Sequence, residues 1–379
     1  MVIRRKAEVS KHNIQAFFEL VRGGVWENEA HLSQYWVIDF DEVYRLAKEQ
    51  SVVGLVAAGI EHVTDVKLPQ NSVLPILSDV LLFEKRNKAM NYFIAELIEK
   101  MRDAGIYALL VKGQGIAQCY ERPLWRACGD IDLLLSDDNY SKASFFLKKY
   151  SSHIDEELNY RKHISMIIDN WIVEIHGTLR SELGGRIDRI IDKMQEKIFY
   201  EGAVRSWMNG QSQIFMPKED EDVVFIFCHI LQHFFCGGIG LRQVCDWCRL
   251  LKIYHKEIDA KLLKSRLREA GLISEWKTFS ALAVDTLGTP AEVIPLYSSS
   301  KKWSKKAEKV LAIILETGNF GHNLDVSYYE KYPFVIYKAI SLWRNTKENF
   351  RHCLIFPKDA TRIWFLRLLE GFRVAVRGK

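Results

Sequence analysis

Proline and glycine are scarce in this chain, with only 8 and 22 occurrences among 379 residues, which leaves room for long helices. Long hydrophobic runs are lacking as well. Stretches such as VVFIF and YALLV are far shorter than the roughly 20 apolar residues of a membrane-spanning helix. The N-terminal MVIRRKAEVSKHN lacks the apolar segment of a signal peptide. We therefore expect a soluble, cytoplasmic protein.

Cysteine is too sparse for a disulfide framework, because 7 residues, an odd number, are scattered along the chain. A reducing compartment fits this usage. Cys245 and Cys248 have C-x-x-C spacing, and together with Cys236, His229 and His233 they offer zinc ligands. Both fall within RQVCDWCRLL, which has a helical pattern, so burial in the core is the favoured interpretation.

Charge is low overall, at +5, but unevenly distributed. Residues 343–379 carry nine basic and three acidic side chains, so the rest of the chain is close to neutral. This segment also has an apolar stripe at helical spacing: Ile363, Leu366, Leu369, Phe372 and Val376. A basic amphipathic helix binds an anionic surface, binds RNA, or packs on its own protein, which is the commonest case.

Hydrophobic periodicity divides the chain into three regions. Residues 1–88 are predicted to be helical, residues 89–216 to form an α/β core, and residues 217–379 to form a helical domain with the basic tail. Within the core, IYALLVKG, DIDLLLS, HISMIID and NWIVEIHG are predicted strands, and the last two are joined by a turn at Asp169-Asn170. From Ile187 onward the helical period is expected to continue to the C-terminus. The predicted fold is α+β, with a small mixed sheet flanked by dominant helices.

Two aspartates at the start of a predicted strand carry the clearest chemical signal. Asp130 and Asp132 lie two apart, and alternate side chains of a strand point to the same face. Two such carboxylates repel each other unless a cation lies between them, and oxygen ligands of this kind suit Mg²⁺. Glu174, with His176 on its own face, can reach the same ions if its strand is the neighbour. Two metal ions held in this way can activate a hydroxyl and stabilise leaving pyrophosphate.

The turn after the first predicted strand supplies groups suited to phosphate. Gly113 and Gly115 allow backbone N–H groups to approach a phosphate closely, and Lys112 or Arg126 can neutralise a phosphoryl oxygen. A bare D-x-D is a weak signal, but K-G before it and E-x-H after it make it more specific. The alternative interpretation is a solvated pair of aspartates, with Gly113 only turning the chain.

The order of these residues resembles that of the uncharacterised bacterial nucleotidyltransferase family of the DNA polymerase β superfamily, in which a Lys-Gly pair replaces the usual Gly-Ser. The resemblance covers about residues 90–255 and implies a nucleotidyltransferase palm. Glu174 departs from the pattern, since Asp is commoner there, and its longer arm changes the metal geometry. The matching residues are Lys112, Gly113, Arg126, Asp130, Asp132, Glu174 and His176, followed on a helical segment by His229, His233, Arg242 and Asp246.

The resemblance implies transfer of an NMP from an NTP, with Mg²⁺ or Mn²⁺, to an unidentified acceptor and release of pyrophosphate. Asp130 and Asp132 would bind the metals, and Glu174 would complete the metal site and help to deprotonate the acceptor. The triphosphate would be held by Lys112, Gly113 and Arg126.

The remaining matched residues are expected to support this site. His176 would act behind the metal ligands, and His229 and His233 would line the base pocket or hydrogen-bond to Asp246, near Arg242. The alternative for each of these histidines is an interior side chain with satisfied hydrogen bonds and no role in the site. The acceptor, whether a small molecule, a protein or RNA, cannot be inferred from a fold. Two alternatives differ in class: a catalytically weak nucleotide-binding sensor or member of a regulatory pair, and an RNA-binding protein that uses the basic tail.

Overall fold

The computed structural model describes residues 2–35, 37–155, 162–181, 183–321, 323 and 334–377. Helix dominates this part of the chain, and a five-stranded mixed sheet lies within it, which confirms the predicted α+β class. The helices are α1 Val2–Trp26, α2 Phe40–Glu49, α3 Val53–Glu61, α4 Gln70–Asp103, α5 Gly113–Ala117, α6 Asp137–Leu147, α7 Gly185–Tyr200, α8 Glu219–Cys236, α9 Leu241–Ile253, α10 Ala260–Ala270, α11 Ile273–Asp285, α12 Lys301–Thr317, α13 Phe334–Cys353 and α14 Pro357–Arg377.

The five-stranded sheet contains all four predicted strands and one more. Its strands are β1 Ala108–Val111, β2 Asp130–Leu135, β3 Ser151–Ile154, β4 His163–Ile168 and β5 Trp171–His176, in the spatial order β1-β2-β5-β4-β3. β2 and β5 are parallel, whereas the other neighbours are antiparallel. Asp169 and Asn170 both have positive φ, 48° and 67°, so the predicted turn between β4 and β5 is present.

A second, two-stranded sheet shows that the helical period does not continue unbroken from Ile187. β6 Val204–Asn209 and β7 Ser212–Pro217 form an antiparallel hairpin between α7 and α8. The expectation of uninterrupted helix from Ile187 is therefore wrong at this point. Ile214 and Met216 of β7 are buried in the same core cluster as β1 and β2, so the hairpin extends the apolar layer of the α/β core.

The two faces of the main sheet are chemically different. Ile131, Leu133, Val173 and Ile175 are buried with apolar residues of α4 such as Phe93. The alternate residues of the same strands point to the opposite face, and several of them are polar or charged. The sheet thus has one apolar face for stability and one polar face available for chemistry.

Helices α8 and α9 belong to the larger core and border the polar face of the sheet. In that core the Trp276 ring lies 4.9 Å from both the Phe227 and the Trp247 rings, which packs α8, α9 and α11 together. Cys245 and Cys248 are fully buried on α9, and the one group of potential metal ligands found among the described residues contains no cysteine. Burial in the core, the favoured interpretation of these cysteines, agrees with this placement.

The basic tail is helical and only partly packed. Ile363 of α14 is 3% exposed, whereas Leu366 and Leu369 are 40% and 41% exposed. The Phe372 and Val376 side chains of the predicted stripe lie outside the described residues. Across the part of the chain that the structure covers, no helix has both the length and the apolar character needed to span a membrane.

Candidate functional site

Three carboxylates share the polar face of the sheet. Because β2 and β5 are parallel neighbours, Asp132 lies directly opposite Glu174, and Asp130 lies opposite Ile172. Asp130, Asp132 and Glu174 occupy alternate positions that share one face. The neighbouring strands that the three-carboxylate hypothesis requires are therefore present.

Asp132 is buried and has two partners. The Lys112 Nζ lies 2.7 Å from its Oδ1, and the His176 Nε2 lies 2.8 Å from the same oxygen. Burial alone would raise the pKa of Asp132, but Lys112 and His176 outweigh it and hold that pKa well below its usual value. Asp132 is consequently ionised under all ordinary conditions.

Asp130 differs because its side chain makes no hydrogen bond or ion pair within the described residues. Burial, together with the neighbouring charge of Asp132, raises its pKa. A half-buried carboxylate without a partner, next to a second carboxylate, is a favourable position for a cation. Oxygen donors of this kind match Mg²⁺ or Mn²⁺, so the residues present fit the metal that the sequence implies.

Lys112 reaches the carboxylates from a sharp turn between β1 and α5. Its φ of 57° and ψ of −145° are unusual for a residue with a side chain, and Gly113 follows with φ 41°. Although burial would lower the pKa of Lys112, Asp132, Glu174 and Asp130 together raise it, so the ammonium stays charged. Gly115, by contrast, is buried where an added Cβ would lie 2.8 Å from the Met216 sulfur, which indicates a packing role.

His163 is a site residue that the sequence analysis missed. It lies directly across from His176 in the β4–β5 pair, and its Nε2 is 3.2 Å from the Glu174 Oε2. The signal was present in HISMII, where Ile164, Met166 and Ile168 are buried and the alternate residues are not. The same alternation that identified Glu174 therefore also pointed to His163.

Arg126 is paired within the protein. Its Nε and Nη2 lie 2.8 Å and 2.7 Å from the two oxygens of Asp246, and its Nη1 donates to the Ala127 carbonyl. Tyr120 donates a further hydrogen bond to Asp246. Asp246 is thereby occupied by residues other than the histidines.

Among the described residues, Arg242 makes fewer side-chain hydrogen bonds than Arg126. Its Nη1 donates to the Ala127 carbonyl at 3.0 Å, while its Nε is buried without a hydrogen-bond partner among the described residues. Burial and the nearby Arg126 lower its pKa. A cation in this state gains from an added anion.

His229 and His233 of α8 lie over the carboxylates, with ring centroids 4.4 Å apart. Burial, and next the positive charge of Lys112, lower both pKa values, that of His233 to about 4. Both imidazoles are therefore neutral at pH 7. The Phe320 ring lies 4.9 Å from that of His233, which adds an exposed aromatic side chain.

Two adjoining cavities share Lys112, Glu174, His229 and His233 as a common wall. The first, here called the Asp130 cavity, is also lined by Gly113, Asp130, Asp132, Arg126, Arg242, Asp246 and Phe320. The second, here called the His163 cavity, is also lined by His163, His176, Thr178, Arg180 and Gln232. The cleft therefore has two compartments on either side of Lys112 and Glu174.

Comparison with known proteins identifies a family for most of the chain. The family described as "Uncharacterised nucleotidyltransferase" matches residues 37–287, which include every residue named in the two cavities except Phe320, and the chain belongs to this family. No curated protein and no solved structure matches the chain.

Proposed function

We propose that this member of the uncharacterised nucleotidyltransferase family transfers an NMP from an NTP to an acceptor hydroxyl or phosphate and releases pyrophosphate. The observation that carries the proposal is that one cavity is lined by three carboxylates and two cationic side chains, namely Asp130, Asp132, Glu174, Lys112 and Arg242. The three carboxylates suit the metal ions of a metal-bound triphosphate, and the two cationic side chains suit its phosphates. Family membership supports the reaction type.

The residues divide into two groups by charge. Asp130, Asp132 and Glu174 would hold Mg²⁺ or Mn²⁺, which supplies positive charge for the developing negative charge on the phosphates. Lys112 and Arg242 border the Asp130 cavity and would neutralise the phosphoryl oxygens, with the backbone of Gly113 beside them. Arg126, also in this cavity wall, would act mainly by fixing Asp246.

The acceptor would approach from the His163 cavity, because Glu174 borders both compartments. As the O–H bond of the acceptor breaks, its proton passes to the Glu174 carboxylate. The acceptor oxygen forms a bond to the α-phosphorus, and the bond from that phosphorus to the bridging oxygen of pyrophosphate breaks. His163 and His176 would keep the Glu174 carboxylate in position.

The test is calorimetric titration of each NTP with Mg²⁺ into the full chain, followed by assays of pyrophosphate release with small-molecule, protein and RNA acceptors. Asp130→Asn removes the unpartnered carboxylate, and Asp138→Asn, at an exposed position on α6, is the matched control. Release that D130N abolishes and D138N retains is the expected result. Release that is equal in both variants would overturn the assignment.

A nucleotide-binding sensor is the second candidate, and the Lys112–Asp132 ion pair favours it. An internal ammonium beside Asp132 already neutralises part of the charge that a metal would neutralise. Such a protein would bind an NTP at the same cleft without releasing pyrophosphate to any acceptor. Tight NTP binding that D130N weakens, with no turnover in the assays above, would favour the sensor.

A further inference from the structure

A second group of potential ligands lies on the other side of Glu174 from Asp130. His163, Glu174 and His176 each offer a ligand atom, and these atoms all lie within 4.8 Å of one another. The three side chains come from adjacent antiparallel strands in direct register, since His163 is paired with His176. They are held by a sheet rather than by a loop, and they line the open His163 cavity.

Two of the three separations are close to those of atoms that share one metal ion. The Glu174 Oε2 lies 3.2 Å from the His163 Nε2 and 3.6 Å from the His176 Nε2. Ligand atoms about 2.1 Å from an ion are roughly 3.0–3.4 Å apart when the geometry is octahedral or tetrahedral. Small side-chain shifts, including release of His176 from Asp132, would therefore complete a three-ligand site.

The donor set distinguishes this site from the three-carboxylate site. Mg²⁺ prefers oxygen ligands and retains water, whereas two imidazoles and one carboxylate are typical of Zn²⁺ and related transition metals. Two histidines beside a glutamate also occur as an ordinary hydrogen-bonded cluster. Here, however, the cluster borders open space within a cleft and leaves positions on an ion accessible.

We propose that His163, Glu174 and His176 form a binding site for a divalent transition metal of the Zn²⁺ class, separate from the Mg²⁺ position at Asp130 and Asp132. Metal binding at this site stands independently of the reaction. The role of the ion rests on the proposed function: its open positions face the His163 cavity, where it would orient the acceptor. Glu174 is then shared between the two positions.

The experiment is titration of Zn²⁺, Mn²⁺ and Mg²⁺ into the tag-free, chelator-treated full chain, with the bound metal counted per chain. His163→Ala is the main variant, because the only described partner of the His163 imidazole besides His176 is Glu174. His163→Gln keeps the size of the side chain and serves if the alanine variant is unstable. His153→Ala, on the exposed strand β3 of the same sheet, is the matched control.

One Zn²⁺ per chain is expected, with affinity at least about tenfold lower in both His163 variants and unchanged in H153A. Equal Zn²⁺ affinity in H163A, H163Q and the unaltered chain would overturn the site, as would a site that takes Mg²⁺ as tightly as Zn²⁺. D130N distinguishes this inference from the proposed function, because Asp130 belongs to the Mg²⁺ position and is not a ligand of the Zn²⁺ site. Zn²⁺ binding retained in a chain that never releases pyrophosphate would remove only the proposed reaction, and turnover with no histidine-dependent Zn²⁺ binding would remove only the metal site.

Discussion

The Lys112 ammonium lies 2.7 Å from the Asp132 carboxylate, inside the group of acids that the proposed reaction assigns to metal ions. This pairing gives the cleft one fixed positive charge next to Asp132, Glu174 and Asp130. The unusual backbone conformation at Lys112 places that charge there. Lys112 is therefore both a partner for Asp132 and a cation on the wall of the Asp130 cavity.

Lys112→Met is expected to change metal and nucleotide binding in opposite directions. Without the ammonium, Asp132 keeps only His176, so a divalent ion alone should bind more tightly and raise the unfolding temperature more than in the unaltered chain. Loss of one charge-assisted hydrogen bond of about 1.5–3 kcal/mol should weaken NTP binding roughly tenfold or more. Calorimetry with Mn²⁺ and with Mn²⁺-NTP measures both effects.

Lys88→Met is the control for this prediction, because Lys88 makes an exposed ion pair with Glu84 on the surface of α4. Both affinities should be unchanged in that variant. A K112M chain that binds the metal less tightly and the NTP equally well would contradict the assigned role of Lys112.

Substitution of Arg126 is expected to lower stability, whereas substitution of Arg242 is expected to weaken nucleotide binding. Arg126→Ala leaves the buried Asp246 without its bidentate partner, so the free energy of unfolding should fall by about 3–5 kcal/mol. Arg242→Ala removes a guanidinium whose Nε has no partner in the described residues, so it should weaken NTP binding with little loss of stability. Urea unfolding and calorimetry on the two variants measure these effects, and the reverse pattern would return the phosphate role to Arg126.

The base of the nucleotide is expected to contact Phe320. This exposed ring lies 4.9 Å from His233 and borders the Asp130 cavity, and aromatic stacking on a base contributes about 1–3 kcal/mol. Phe320→Ala should raise the KM for the NTP by roughly fivefold or more while kcat changes little. Phe145→Ala, at an exposed ring on α6, is the control. An unchanged KM would place the base elsewhere in the cleft.

The parts of the fold that the sequence predicts are those with strict periodicity. β1, β2, β4 and β5 are found within the predicted segments, because apolar runs and alternation directly reflect burial on one or both faces. The β6–β7 hairpin was missed, although glycine at the first turn position, here Gly210 with φ 63°, is a hairpin signal. Its strands have only short apolar stretches, and the helical periodicity of the segments on either side is much stronger.

Pairings between distant residues were the part of the site that the sequence could not provide. The alternation predicted that Asp130 and Asp132 share a face. It placed Glu174 beside them only if the two strands are neighbours, and the structure shows that they are. That Asp246 lies against Arg126, 120 residues away, follows from the packing of α9 and has no local signal. The metal, nucleotide and acceptor roles of these residues stay predictions until the variants above are measured.

A buried glutamate far from the cleft is expected to give the folded chain a distinct pH dependence. Glu275 of α11 is 2% exposed and faces Asp359 of α14, and burial, followed by the charge of Asp359, raises its pKa to about 8. Between about pH 4.5 and 8 the folded chain therefore holds a proton that the unfolded chain has released, so the contribution of Glu275 to stability falls as pH rises.

Glu275→Gln keeps the shape of the side chain without its ionisation, and should flatten this part of the pH profile of urea unfolding. Glu316→Gln, at an exposed position on α12, should keep the slope of the unaltered chain. If the E275Q profile is as steep as that of E316Q, the pH dependence arises from other groups.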